Sequence, residues 1–214
     1  LATLRRAAHG PLSSLVHSTQ ASLLRQLGWH RLARGWDGRA LALAGGDCQA
    51  RVDALVGLAA DALGMGRFAV SARLLNMAEA TLRAGEDPPD RLAVRLAWVS
   101  AELAMATGDG GAAVGHAHRA VDLAQQGISA RHRVKSNVVL AAALCSAGHV
   151  DDSRALAEEG LQTTAQFGLI PLRWALASLL AGIGSGLLSA GEVAAIRDAA
   201  AGTVQRRGGH WRAA

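Results

Sequence analysis

Eight histidines, two cysteines and several carboxylate pairs are the side chains of this 214-residue chain that could do chemistry. Metal binding would need histidines on one helix face, three or four residues apart, with a thiol or carboxylate nearby. His116 and His118 are two apart and point to different faces, and His9, His17, His30, His132, His149 and His210 are scattered. Cys48 and Cys145 have no metal-like spacing and read as free thiols. Asp151, Asp152, Glu158 and Glu159 read as a solvated acidic face, with the aspartates favoured by the dipole of a helix start. The runs GDGG at 108–111 and GIGSG at 182–186 could suggest phosphate cradles, but no strand precedes them and no Gly-Lys-Ser/Thr ending follows. No serine stands in a nucleophile-elbow pattern. The sequence therefore predicts no enzyme, no cofactor and no metal site.

The elements that would position any site are helices. Half of the chain is hydrophobic, and its apolar mass is Ala, Leu and Val, with five Trp, two Phe and no Tyr. That composition favours helix over strand. Arg outnumbers Lys 21 to 1, and residues 1–50 carry +4 of the net +5. This basic excess is modest and local, which argues against nucleic acid as the partner. Residues 174–191 are uncharged over 18 positions but hold four glycines, so a buried helix is expected rather than a membrane span. With no leader pattern from Leu1 onward and two free thiols, a cytoplasmic, bacterial setting is the expectation.

Glycines recur at Gly28, Gly66, Gly108 and Gly148, spaced 38, 42 and 40. In the same register stand three columns of small residues. They are Ala21, Ala59, Ala101 and Ala141; Ala33, Ser71, Ala113 and Ser153; and Ala40, Ala78, Ala120 and Gly160. A second series, Gly45, Gly85, Gly127 and Gly168, falls where left-handed helix caps are expected. The pattern predicts an all-α, right-handed α-solenoid of about five antiparallel helix pairs in one domain. The helices are expected at 12–27 and 30–44, 48–64 and 67–84, 89–107 and 111–126, 131–147 and 150–166, and 170–186 and 190–207. Pro88–Pro89 and Pro11 would open first turns. Residues 1–10 read as a frayed end or the tail of a helix. Polar Glu192, Arg197, Asp198, Gln205, Arg206 and Arg207 would cap the last pair.

This arrangement of Leu55, Leu58, Ala59, Gly66, Phe68, Ser71, Leu75 and Ala78 resembles the tetratricopeptide repeat. The resemblance covers 12–166 closely and 169–207 loosely. The period near 40 exceeds that family's usual 34 or so, and its proline after the second helix is absent. The longer variety resembles the repeats of maltose-activator-type bacterial regulators. The resemblance implies that the first helix of each pair lines an inner curve. Its groove columns would be Ser18, Val56, Trp98 and Val138; Ser22, Ala60, Glu102 and Ala142; and Arg25, Leu63, Met105 and Cys145. The partner-binding groove expected from it is Val56, Leu63, Trp98, Met105, Val138 and Cys145. A basic rim of Arg91, Arg95, Arg131, Arg133 and Lys135 would surround it. Trp98 and Met105 fit equally as core between neighbouring helices. The expected function is a scaffold or adaptor binding another protein or a peptide, with acidic flanks on an apolar segment. The alternatives are a sensor or regulatory module of a transcription regulator, and a self-associating repeat protein, such as a homodimer, whose groove is filled by a second copy or by the C-terminal pair.

Overall fold

The turn glycines place the chain reversals. The computed structural model describes residues 10–212 and contains ten α-helices and no strand among them. They are α1 (Gly10–Arg25), α2 (His30–Leu43), α3 (Cys48–Gly64), α4 (Phe68–Ala84), α5 (Arg91–Ala106), α6 (Gly110–Gln126), α7 (Ala130–Ser146), α8 (Val150–Gln166), α9 (Ile170–Ile183) and α10 (Ala190–Arg206). All but the first nine residues of the expected N-terminal segment, 1–10, are thus accounted for; those nine lie outside the described residues.

One turn motif is used repeatedly. Gly28, Gly66, Gly108, Gly148 and Gly168 all have φ between +62° and +87°. After each, the next amide donates back to the carbonyl five residues earlier, as from Arg67 to Ala62 (2.8 Å) and Asp109 to Ala104 (2.9 Å). This Schellman closure satisfies carbonyls that the helix end leaves open, and it needs a residue free of the left-handed penalty. The second glycine series is not uniform. Gly45 and Gly168 are left-handed, but Gly85 and Gly127 are extended, with φ of −79° and −90°. At Gly85 close packing replaces the conformational reason, because a Cβ there would lie 2.5 Å from Cys48 Sγ. Helix α9 stops at Ile183 rather than at 186, because Gly184 turns away at φ +79°. Pro88 and Pro89 precede α5, which begins at Arg91 rather than at 89.

Side chains cap several helix starts, although Asp90 before α5 does not. Asp47 accepts from the Ala50 amide (2.7 Å), Asp109 from Ala112 (2.9 Å), and Ser189 forms a reciprocal box with Glu192.

Each pair packs as an antiparallel hairpin, and the second helix of each pair also contacts the first helix of the next. The first helices α1, α3, α5, α7 and α9 touch one another in a row, whereas no two second helices touch. Two layers result, an inner row and an outer row, as in a helical solenoid. The small columns sit between them. All eight residues of the first two columns, and Ala40, Ala78 and Ala120 of the third, have no exposed surface. Gly160 has the same role: a Cβ there would meet Leu176 Cδ1 at 2.7 Å.

The chain also closes on itself. The indole of Trp29, just after the first turn, donates to the His210 carbonyl (2.7 Å), and the Arg212 amide donates to the Leu27 carbonyl (2.9 Å). Trp211 stacks on Trp174 of α9 with centroids 4.6 Å apart. Residues 208–212 thus form a strap from the last pair to the first turn.

Candidate functional site

Burial of charge marks the site. Three carboxylates, Asp37, Asp53 and Asp61, lie 3% exposed or less on helices α2 and α3. Unpaired, each would cost several kcal/mol to desolvate, so each must have a partner. Arg25, the last residue of α1, supplies two of them: its guanidinium pairs with Asp37 and with Asp61, the latter through Nε at 2.8 Å. Ser18 donates to Asp37 Oδ1 at 3.0 Å. Asp53 takes two arginines one helical turn apart on α5. Arg91 engages both of its oxygens (2.5 and 3.0 Å), and Arg95 adds a third contact.

The close approach of α2 to α3 explains two glycines. A Cβ on Gly57 would fall 2.3 Å from Asp37 Oδ2, and one on Gly64 would fall 2.4 Å from the His30 ring. Buried Nδ1 of His30 has no hydrogen-bond partner and lies 3.6 Å from Asp61 Oδ1.

Above this ionic layer, the inner row opens into a cavity of about 420 Å³. Val56, Ala60, Leu63 and Val99 form its apolar part. Arg25, Arg95, Arg131, Lys135, Glu102 and His132 form its polar part, with one edge of Trp98. Lys135 Nζ sits 4.5 Å from the Trp98 ring centre and 3.8 Å from Glu102 Oε1. His132 also stacks on the indole, centroids 5.3 Å apart.

Cations outnumber carboxylates here. Arg25, Arg91, Arg95, Arg131 and Lys135 face Asp37, Asp53, Asp61 and Glu102, and no carboxylate among the described residues pairs with Arg131. Burial, opposed by Glu102 and reinforced by Arg95 and Arg131, lowers the Lys135 ammonium below its ordinary range. Burial, then Arg131, Arg95 and Arg91, lowers His132. Asp37 moves the opposite way. Burial, opposed by Arg25 but reinforced by Asp61, pushes its carboxyl up to about 7.

Of the expected groove residues, Val56, Leu63 and Trp98 meet in this cavity, together with Arg95, Arg131 and Lys135 of the expected rim. Trp98 is 4% exposed, its N–H donates to Ser136 Oγ (2.9 Å), and Ser136 in turn donates to the Ala120 carbonyl. The bulk of that side chain is therefore core, and only an edge reaches the cavity. Met105, Val138 and Cys145 lie elsewhere, half-buried between helices. Arg91 stands behind the cavity on Asp53, and exposed Arg133 donates to the Gly127 carbonyl (2.9 Å). Neither lines the cavity, and no residue of α9 or α10 does. Glu158 is not simply part of a solvated face. It accepts from Ser185 and from the Gly186 and Leu187 amides (2.7 and 3.2 Å), which fixes the loop before α10 and holds its carboxyl below the usual range.

The buried aspartates were not singled out by sequence reasoning. Their only signal is an Asp inside an apolar helical run, at 53 and 61 of VDALVGLAADAL, beside Gly57 where a helix gains nothing from glycine. Among the described residues, no group of His, Cys, Asp and Glu is placed to hold a metal ion, and no helix is long and apolar enough to cross a membrane. No family model matches this chain, and neither a curated protein nor a solved structure does.

Proposed function

We propose that the chain is a peptide- or protein-binding helical-repeat module with no catalysis of its own, in the manner of tetratricopeptide arrays. The observation that carries this reading is the inner cavity. It joins an apolar floor on α3 and α5 to a cationic wall on α5 and α7, at the place where a solenoid presents its concave surface. An apolar side chain fits the floor, and an acidic neighbour on the same ligand would neutralise Arg131 and Lys135. Buried ion pairs hold Arg25 and Arg95 in place, so little side-chain entropy is lost when a ligand binds.

Selection of a displayed random-peptide library on the purified protein tests this. Enriched sequences are expected to carry an apolar residue beside Asp or Glu. Arg131→Glu combined with Lys135→Glu should then weaken their binding at least tenfold, with the helical spectrum unchanged. Failure to enrich any sequence, or binding indifferent to both reversals, would reject the reading.

A further inference from the structure

Four arginines from three distant segments line a second cavity of about 570 Å³: Arg31 and Arg34 on α2, Arg67 in the turn before α4, and Arg212 on the strap. All four are exposed, and none has a hydrogen-bonding side-chain partner or a carboxylate in ion-pair range among the described residues. The strap is what brings Arg212 there. Its amide is tied to the Leu27 carbonyl, and its Cβ packs so close to Gly28 that a Cβ on that glycine would lie 3.3 Å away. Six other arginines do find carboxylates: Arg25, Arg91 and Arg95 on buried aspartates, Arg154 on Asp151, Arg83 on Glu79 and Arg197 on Asp198. Four guanidinium groups around one cavity repel each other within a Debye length of about 8–10 Å. An anion that enters relieves that repulsion.

This cavity neighbours the inner one: Gly64 lines both, and His30 of the inner cavity immediately precedes Arg31. We propose that the four-arginine cavity is an anion site for a run of Asp or Glu side chains that continues from the peptide bound in the inner cavity. The proposal rests on the peptide-binding reading. It adds that the ligand carries its acidic run on the side that leaves past Gly64. Guanidinium forks match carboxylates in bidentate pairs. Nucleic acid fits less well, because no aromatic ring lines this cavity on which a base could stack, and the cationic patch is one pocket rather than a stripe.

Fluorescence anisotropy with labelled octaglutamate, beside an eight-residue thymidine oligonucleotide, tests it on the full chain. Octaglutamate is expected to bind, more weakly as salt rises, and to lose at least fivefold in affinity with Arg31→Glu plus Arg67→Glu. The neutral pair Arg34→Ala plus Arg67→Ala should weaken it in the same direction, without added repulsion. All the positions changed are exposed, and circular dichroism checks that helicity is retained. The proposal is overturned if octaglutamate does not bind, or if the Arg31 and Arg67 reversals cost less than fivefold. It is also overturned if reversing Arg131 and Lys135 costs more than that pair does, or if the oligonucleotide binds the tighter of the two. These outcomes leave the inner cavity standing, since that reading is decided by the selected peptides and by Arg131 and Lys135.

Discussion

Asp37 is a carboxylate the fold would rather keep protonated. It is buried, and it shares one guanidinium, Arg25 of α1, with a second buried carboxylate, Asp61 of α3; Ser18 and Arg95 are the other groups facing it. Its folded pKa of about 7 lies above the unfolded value of about 3.9. Between those two values the folded state holds a proton that the unfolded chain has released. The contribution of Asp37 to stability is therefore greatest in acid, falls as pH rises towards 7, and levels off above it, by up to about 1.4 kcal/mol per pH unit. Urea titrations at pH 5, 6, 7 and 8 should show that decline, and Asp37→Asn should flatten it. A wild-type slope of the opposite sign would sink the assignment. Trp98→Ala is expected to cost about 3–5 kcal/mol in the same titrations, since the indole is enclosed and its N–H is bonded to Ser136. An unchanged midpoint would return that side chain to the surface. Residues of this kind were poorly legible in the sequence. A mid-helix aspartate announces that it needs a partner, but the arginine that meets it arrives from another helix, 12 residues away for Asp37, 36 for Asp61, and 38 and 42 for Asp53, and only packing decides which one.

At the scale of the helix pair the sequence was far more legible, because pairs are built from local rules. Turn glycines at a period near 40 place the reversals, and columns of small residues mark where two helices close to contact distance. One helix end differed from expectation where a single residue's backbone decided it, at Gly184, whereas at Gly85 and Gly127 the helices end where expected but the capping glycine is extended rather than left-handed. Those are choices between conformations that glycine permits equally, so residue type alone does not separate them. The small columns make a direct prediction. Ala59 has no exposed surface and lies in the core formed with Val56, Leu75 and Ala78. Ala59→Leu should force α3 from α4 and lower stability by about 1–3 kcal/mol, read as a fall in Tm. An unchanged Tm would mean that the close contact is not where the column puts it.

For the molecule as a whole, the strap is what turns an open array into a closed one, and neither the repeat pattern nor composition foretold it. Repeats predict contacts between neighbours only, and the strap joins residues some 180 positions apart. In a solenoid each pair is held by its neighbours, so the two ends are free to move relative to each other unless something ties them. Here the tie is small: two hydrogen bonds to the first turn and one stack, Trp211 on Trp174, with the indole N–H at 3.5 Å from the Ala201 carbonyl. Trp211→Ala removes the stack and leaves every helix-to-helix core intact. Global stability should then fall little, while the strap opens locally. The Arg212 amide, held by the Leu27 carbonyl in the closed array, reports this directly: its hydrogen exchange should accelerate at least tenfold in Trp211→Ala. Small-angle scattering should show a larger radius of gyration as the ends separate. The four-arginine cavity would lose Arg212 at the same time, so octaglutamate affinity should drop with it. An Arg212 amide that stays protected in the variant would mean that the two backbone and indole bonds hold the strap without the stack, and that closure of the array does not depend on Trp174.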